Sequence, residues 1–216
     1  MGLFGPKPYR RRDSLTTATE AQRRGKPKKA IAAYQRILDH DGEDPMILHK
    51  LAVCLAQVRR VDEARPKFLA AAAGYEAGGF ADKALAVYTA AAHHIPGEVE
   101  FWERIAQGHL LRERRADAIR VLIDATKNFV GRARRGERIQ LLEHVRTIDT
   151  WHVEGGLALA RDLVADGQSD EARTLLDGLA ERNEGATLKK VRWAAFALQP
   201  SFGSAWRWLR AAVLGR

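Results

Sequence analysis

The sequence has a single cysteine, Cys54, and only seven prolines among its 216 residues. One cysteine excludes an intramolecular disulfide and a zinc site built from several cysteines. Aromatic residues make up 7% of the chain, and their scarcity beside abundant Ala, Leu and Arg disfavours a β-sandwich or β-barrel. No apolar run reaches the roughly 20 residues of a membrane span, and the N-terminus lacks the apolar core of a secretory signal. We therefore expect a cytoplasmic, helical protein.

Charge is distributed unevenly along this chain, of which 46% is hydrophobic and 29% charged. Residues 1–29 contain nine Lys/Arg and two acidic residues, whereas residues 186–216 contain six Lys/Arg and no acidic residue. Because the whole chain carries +9, the residues between these ends carry −4. Basic ends favour an acidic partner, but they do not make the continuous basic face of a dedicated nucleic-acid binder.

Apolar residues recur with helical spacing from about residue 13 onward, and short breaks rich in Gly, Pro, Asp and Asn separate the helical segments. No segment has the alternating pattern of a half-buried strand. The number of breaks predicts an all-α protein with about 11 to 12 helices.

One residue pattern occurs five times along the chain: an alanine, a second alanine twelve residues later, and a large apolar residue four residues beyond it. The copies are Ala18/Ala30/Tyr34, Ala52/Ala64/Phe68, Ala72/Ala84/Tyr88, Ala106/Ala118/Leu122 and Ala160/Ala172/Leu176. Where two antiparallel helices cross, a methyl side chain lets their axes approach, and the large residue one turn away fills the space beside them. The repeats therefore predict antiparallel helical hairpins stacked into an α-solenoid.

The pattern resembles the tetratricopeptide repeat. The matching series are Trp102-Ile105-Ala106-Ala118-Leu122-Ala125, Leu48-Leu51-Ala52-Ala64-Phe68-Ala71, and Ala72-Tyr75-Gly79-Ala84-Tyr88-Ala91-Pro96. The resemblance implies a solenoid of paired helices whose concave side holds a peptide or a partner helix, and therefore an adaptor rather than a catalyst.

Successive copies begin 34, 20, 34 and 54 residues apart, so the underlying period is 54 residues, or three helices. Ala52, Ala106 and Ala160 follow this period. We predict a 54-residue super-repeat in which a helix from about Val61 to Ala77 is the second helix of one hairpin and the first helix of the next. The alternative is that there is no super-repeat, and that helices of unequal length match the 54-residue period by chance.

We expect a basic flexible tail at residues 1–12, a repeat domain at residues 13–185 and two capping helices of the same domain at residues 186–216. In the last segment Trp206, Leu209 and Val213 share one helix face. A terminal repeat must cover the exposed edge of the stack, so we favour a cap, with an amphipathic helix on an anionic membrane as the alternative.

No grouping of residues indicates catalysis, a metal or a cofactor, and we expect none of these. The seven histidines include no pair with the spacing of two ligands on one helix face. The acidic pairs Asp62-Glu63 and Asp170-Glu171 each precede a second-helix alanine, where acidic residues cap helices. The basic stretch from residue 132 to residue 138 is expected to form a solvated loop and a helix start.

The first-helix positions that line the groove in the family correspond to eight residues of this chain. They are His49, Lys50, Val53, Gln57, Glu103, Arg104, Gln107 and Arg161. Family members that bind the acidic C-terminal tail of a chaperone need Asn as well as Lys at these positions, and Asn is absent from all of them. We expect a scaffold for another protein or peptide rather than for nucleic acid or a membrane. Binding of nucleic acid or anionic membrane through the basic N- and C-terminal ends is the alternative, and the oligomeric state stays open.

Overall fold

The computed structural model describes residues 9–198, 200 and 202–214, which form twelve α-helices and two short 3-10 helices and include no β-strand. The α-helices are α1 (Arg11–Arg23), α2 (Pro27–Asp41), α3 (Pro45–Gln57), α4 (Val61–Ala77), α5 (Ala81–His94), α6 (Val99–Leu110), α7 (Arg115–Ala125), α8 (Arg135–Ile148), α9 (Val153–Ala165), α10 (Ser169–Glu181), α11 (Gly185–Leu198) and α12 (Phe202–Leu214). The 3-10 helices, Thr126–Asn128 and Arg132–Arg134, lie between α7 and α8. The all-α fold predicted from the sequence is confirmed.

The chain divides into two compact units, residues 1–108 and residues 109–216. In the first unit α1 packs on α2, α2 on α3, α3 on α4 and α4 on α5. In the second unit the same sequential packing runs from α7 to α12. Each unit is therefore a stack of helices that are neighbours in sequence, as in a solenoid. The division falls inside the segment predicted as one repeat domain, so that single domain stays a prediction.

Five of the described turns between helices share one backbone geometry. Each contains a residue with positive φ, and these residues are Gly25, Arg59, Gly79, Glu113 and Gly167. After α3, the amide of Arg59 donates to the carbonyl of Ala56 (3.0 Å) and the amide of Arg60 donates to the carbonyl of Leu55 (3.0 Å). This pair of bonds is the Schellman motif, and it recurs in the other four turns.

The five turns belong to the five copies of the sequence repeat. In every copy the positive-φ residue comes seven residues after the first alanine and five before the second. Every alanine of the five copies is at most 2% exposed. The large apolar residue that follows the second alanine is also buried in each copy. The sequence pattern therefore marks two buried helix positions and the tight turn between them.

The helix boundaries follow the 54-residue period. Helices α2, α5 and α8 begin at Pro27, Ala81 and Arg135, helices α3, α6 and α9 at Pro45, Val99 and Val153, and helices α4, α7 and α10 at Val61, Arg115 and Ser169. Within each set the starts are 54 residues apart. Helix α4 packs against both α3 and α5, as its predicted double role requires. That the period arose by internal duplication stays a hypothesis.

Arg138 contradicts the expectation of a solvated basic loop, because its guanidinium is bound on all sides. It forms a two-point ion pair with Asp162 of α9 (2.6 and 3.0 Å) and donates to the carbonyls of Phe129 (2.6 Å) and Gly131 (3.0 Å). The hydrogen bond with Asp162 raises the pKa of Arg138 above its usual value. This charge therefore ties α8 to α9 and to the turn after α7.

The N-terminal residues that the structure describes contact the turn between α2 and α3. The hydroxyl of Tyr9 donates to Asp41 (2.7 Å), and Arg11 binds both Asp41 (2.7 Å) and Asp44 (2.5 Å). Helix α1 begins at Arg11, so the end of the predicted flexible tail is helical. Its residues 1–8 lie outside the described residues.

The C-terminal helices differ from the predicted cap. Trp208 of α12 packs against α11, with its ring centroid 5.4 Å from that of Trp193 and 6.3 Å from that of Phe196. The apolar face that was expected to cover the preceding helices is instead open to solvent. Its residues are Trp206 (61% exposed), Leu209 (46%) and Val213 (73%).

We expect Ala118→Leu to lower the free energy of unfolding by about 1 to 3 kcal/mol or more, because a larger side chain overpacks a filled helix crossing. Ala118 is fully buried. Ala116 lies two residues earlier on α7 and is exposed, so Ala116→Leu should change the stability by less than about 0.5 kcal/mol. Urea denaturation of the two variants measures the difference, and equal shifts would contradict the assignment of Ala118 to the core.

The shared turn geometry predicts that glycine in place of Arg59 or Glu113 would stabilise the protein. Arg59 and Glu113 have φ of 65° and 59°, a backbone conformation that costs about 1 to 2 kcal/mol in a residue with a side chain. Arg59→Gly and Glu113→Gly should each raise the free energy of unfolding by about 0.5 to 1 kcal/mol. Gly167→Ala, the reciprocal change in the fifth copy, should lower it by about 1 kcal/mol. A loss of stability in both glycine variants would contradict the assigned turn.

Candidate functional site

Four of the predicted binding residues lie along one side of α3. His49, Lys50 and Val53 are half-buried, and Gln57 is exposed. His49, Val53 and Gln57 are four residues apart, which places them on the same face of the helix. We refer to these four residues as the α3 stripe. It is accessible, and it combines a cation, an amide, an imidazole and an aliphatic side chain.

The N-terminus of α3 is fixed by a capping side chain. The Oδ1 atom of Asp44 accepts hydrogen bonds from the backbone amides of Met46 (2.9 Å) and Ile47 (3.3 Å), and Arg11 binds the other carboxylate oxygen. These bonds hold the pKa of Asp44 below its usual value against the opposing effect of burial. The α3 stripe thus projects from a helix whose start is well anchored.

Helix α5 lies beside the α3 stripe, since α3 contacts α5 as well as α4. The ring centroid of His49 lies 6.0 Å from that of Phe68 on α4. Burial lowers the pKa of His49, and the nearby His94 of α5 and Lys50 lower it further. Side chains of α5 border a shallow groove of 570 Å³. Its lining residues are Asp82, Leu85, Ala86, Thr89, Ala90, His93 and His94.

The residues of α5 were not predicted as part of a binding surface. The repeat Ala72/Ala84/Tyr88 assigns α5 as a second helix, and only first-helix positions were carried over from the family. Contact between α3 and α5 brings the two helices together, and His94 is the groove residue that acts on His49 of the stripe. The double role predicted for α4 could have indicated the α5 residues. A helix that pairs with both of its neighbours places those two neighbours, here α3 and α5, in one layer.

The predicted residues of α6 have different neighbours. Arg104 and Gln107 are exposed and Glu103 is half-buried. The guanidinium carbon of Arg104 lies 5.9 Å from the ring centroid of Tyr88 on α5, close enough for a cation–π contact. Burial and the neighbouring Glu76, which accepts a hydrogen bond from the hydroxyl (3.2 Å), raise the pKa of Tyr88 to about 12. Arg104 is therefore supported by a ring that stays neutral at physiological pH.

Helix α6 packs beside α4. The rings of Phe68 and Phe101 meet edge to face, with their centroids 6.1 Å apart. Arg65 of α4 binds Glu98 (3.1 Å) and Glu100 (2.7 Å) at the start of α6. The structure thus places the α3 stripe next to α5, and the helix that carries Arg104 next to α4.

A groove of 690 Å³ lies in the second unit between α7 and the start of α9. Its lining residues are Arg115, Ala116, Ile119, Arg120, Ile123, Asp124, Asp149, His152 and Glu154. The eighth predicted residue, Arg161, is exposed and follows Glu154 by seven residues, which puts it on the same side of α9. Arg161 does not itself line the groove, and none of the eight predicted binding residues is among its lining residues.

Two hydrogen bonds fix the start of α9 and the segment before it at the edge of the groove. His152 caps α9, with its Nδ1 atom accepting from the amide of Gly155 (3.1 Å), and Arg115 of α7 donates to the carbonyl of Ile148. A Cβ atom on Gly155 would come within 2.8 Å of the Val145 side chain, so this position needs glycine. The groove has an apolar base of isoleucines and charged rims of both signs, a lining that suits a polypeptide more than a small ion.

Among the residues that the structure describes, no three His, Cys, Asp or Glu side chains lie close enough together to hold a metal ion. Cys54 is buried, and burial raises the pKa of its thiol to about 11, which leaves it protonated and unreactive at neutral pH. None of the described helices combines the length and the apolar character that a transmembrane segment needs.

Comparison with known proteins supplies one family match. The model of the tetratricopeptide repeat family matches residues 15–78. A comparison with curated proteins finds no match to this chain. Among solved structures, the chain is similar to a tetratricopeptide repeat protein from Parabacteroides merdae ATCC 43184, at 13% identity over 95% of this chain and 93% of that chain, with a TM-score of 0.31. It is similar to PilF of Pseudomonas aeruginosa, at 15% identity over 95% and 93% of the two chains, with a TM-score of 0.30.

Residues 15–78 are the part of the chain that matches the family. The matched residues cover helices α1 to α4, in which the α1–α2 and α3–α4 hairpins each have their buried alanine pair and Schellman turn. The alanine spacing, the turn geometry and the family match thus agree that residues 15–78 form tetratricopeptide repeat hairpins.

Proposed function

We propose that this protein is a non-enzymatic cytoplasmic scaffold. It binds a peptide or a helix of a partner protein on the exposed faces of the first helices of its hairpins. Tetratricopeptide repeats serve in general as protein-interaction scaffolds. The observation that carries the proposal is the α3 stripe, His49, Lys50, Val53 and Gln57, which remains accessible on a capped helix beside the groove of α5. A rigid helix with accessible mixed side chains loses little conformational freedom when a partner binds.

The chemistry of the stripe and of the α5 groove favours an amphipathic segment with acidic residues. Leu85, Ala86 and Ala90 offer small apolar contacts along the groove, as a helix-binding groove does. Lys50 offers a cation beside it, to which a carboxylate of the partner binds. Gln57, one turn after Val53, supplies both a hydrogen-bond donor and an acceptor.

The remaining predicted residues add candidate contacts on α6 of the first unit and, separately, on α9 of the second unit. Arg104 stands over the ring of Tyr88, and a stacked arginine has less freedom to lose on binding than an unsupported one. Arginine is also among the residues that contribute most to protein interfaces. Arg104 and Arg161 therefore add cations for an acidic partner, with Glu103 and Gln107 as neighbouring polar contacts.

The α3 stripe is tested by trapping a partner and then measuring its affinity. A photo-crosslinking amino acid at position 57 should capture a discrete protein from native cytosol. Lys50→Ala combined with Gln57→Ala should then lower the affinity for that purified partner by more than about tenfold, because the two side chains supply polar contacts within the interface. Isothermal titration calorimetry measures the affinity, and thermal melting reports whether the fold is unchanged.

Helix α2 offers a matched control. Lys28 and Gln35 have the same residue types and the same spacing of seven residues, and both are exposed. Lys28→Ala combined with Gln35→Ala should leave the affinity unchanged. Equal affinity losses in the α2 and α3 variants would contradict the proposed surface, as would full affinity in the α3 variant.

The α6 residues are tested in the same titration. Arg104→Ala combined with Gln107→Ala is expected to lower the affinity for the partner by more than about tenfold. The melting temperature should not change, because both side chains are exposed. Unchanged affinity would remove α6 from the proposed surface and leave binding to α3 and α5.

A further inference from the structure

The outer side of α12 carries an exposed apolar stripe that neither the fold nor the proposed scaffold surface uses. Trp206, Leu209 and Val213 stand at positions i, i+3 and i+7, so they lie on one side of the helix. They are exposed by 61%, 46% and 73%. Large apolar side chains that are exposed together mark an interaction surface rather than ordinary protein surface. We refer to these three residues as the α12 stripe.

The other side of α12 holds the helix in place. Trp208 packs against Trp193 of α11. The guanidinium of Arg207 lies 3.7 Å from Asp177 of α10, which also binds Arg192 of α11 (2.8 Å). The helix is thus attached to the second unit through side chains outside the α12 stripe. Polar substitutions within the stripe should therefore leave the fold intact.

Positive charge lies next to the α12 stripe and on the neighbouring helix α11. Arg210 is exposed and follows Trp206 by four residues, which places it at the border of the stripe. Lys189 and Lys190 are exposed on α11, which packs against α12. Residues 186–216 contain six Lys/Arg and no acidic residue. An apolar face bordered by cations is complementary to a surface that is apolar inside and anionic outside.

We propose that α12 lies in the headgroup region of an anionic lipid membrane. The α12 stripe would insert below the headgroups, and Arg210, Lys189 and Lys190 would bind lipid phosphates. Tryptophan is enriched at this depth because its ring is apolar and its N–H is polar. Basic side chains next to an anionic leaflet add attraction that salt weakens. This role is independent of the scaffold surface on α3.

Two other occupants fit the same observations less well. A second copy of the chain would bring a second segment of charge +6 against the first, and like charges oppose such a contact. Single-stranded nucleic acid would bind the cations and could stack on Trp206. The aliphatic side chains of Leu209 and Val213 offer a base no stacking surface, whereas lipid chains pack readily on them.

The experiment uses the full chain and vesicles of phosphatidylcholine, with or without phosphatidylserine. The protein should sediment with the mixed vesicles, with a blue shift of tryptophan fluorescence, and bind pure phosphatidylcholine at least roughly tenfold more weakly. Trp206→Ser combined with Leu209→Ser should lower binding to the mixed vesicles by roughly tenfold or more. Arg210→Glu should lower it several-fold and reduce its dependence on salt.

A matched control removes apolar side chains that are at least as exposed elsewhere in the second unit. Leu111 and Val130 are 78% and 76% exposed. Leu111→Ser combined with Val130→Ser should bind the mixed vesicles as the unmodified chain does. Circular dichroism should show the same helix content and melting temperature for every variant.

Several outcomes would overturn the proposal. One is the absence of binding to mixed vesicles by the folded chain, and another is an equal loss in the control variant. Binding of an oligonucleotide that displaces the vesicles and needs Trp206 would assign the stripe to nucleic acid. Light scattering that shows a dimer, with the Trp206/Leu209 variant monomeric, would assign it to a second copy. None of these results affects the crosslinking test at position 57.

Discussion

Close approach of helices at alanine is the constraint on which the rest of this structure depends. In every copy of the repeat two alanines twelve residues apart are buried, and a Tyr, Phe or Leu one turn later fills the space beside them. A side chain of one methyl group determines how near the helix axes come, and the large neighbour determines how well the crossing is filled. These crossings bury one face of α3, α5 and α9, so the opposite face of each helix is left exposed.

The turn geometry follows from the same spacing. Seven residues after the first alanine the chain must reverse within two or three residues, and the left-handed backbone conformation achieves this reversal while the Schellman bonds satisfy the last carbonyls of the helix. Glycine adopts this conformation with the least strain, yet Arg59 and Glu113 occupy two of the five positions. The packing on either side of the turn is therefore strong enough to impose the conformation on residues that disfavour it.

The sequence was sufficient to predict the helices, the hairpins and the shared helix α4, because each depends on local spacing and on which residues are small. It was insufficient where a contact joins distant residues. The partnership of Arg138 with Asp162 depends on the packing of α8 against α9, and the spacing of single residues carries no sign of it. The exposure of Trp206 also depends on which side of α12 meets α11. The α3 stripe was identified from the family pattern, whereas its neighbour α5 required knowledge of the helix order in space.

The sharing of α4 between two hairpins limits how the chain can be shortened or lengthened. Removal of one hairpin would delete a helix that also completes the next hairpin, and would expose a face of α5 that α4 normally covers. Removal or insertion of three helices would instead join equivalent turns, because Arg59, Glu113 and Gly167 occupy the same position in successive periods. The smallest interchangeable module of this protein is therefore a triplet of helices, in contrast to the helix pair of an ordinary tetratricopeptide array.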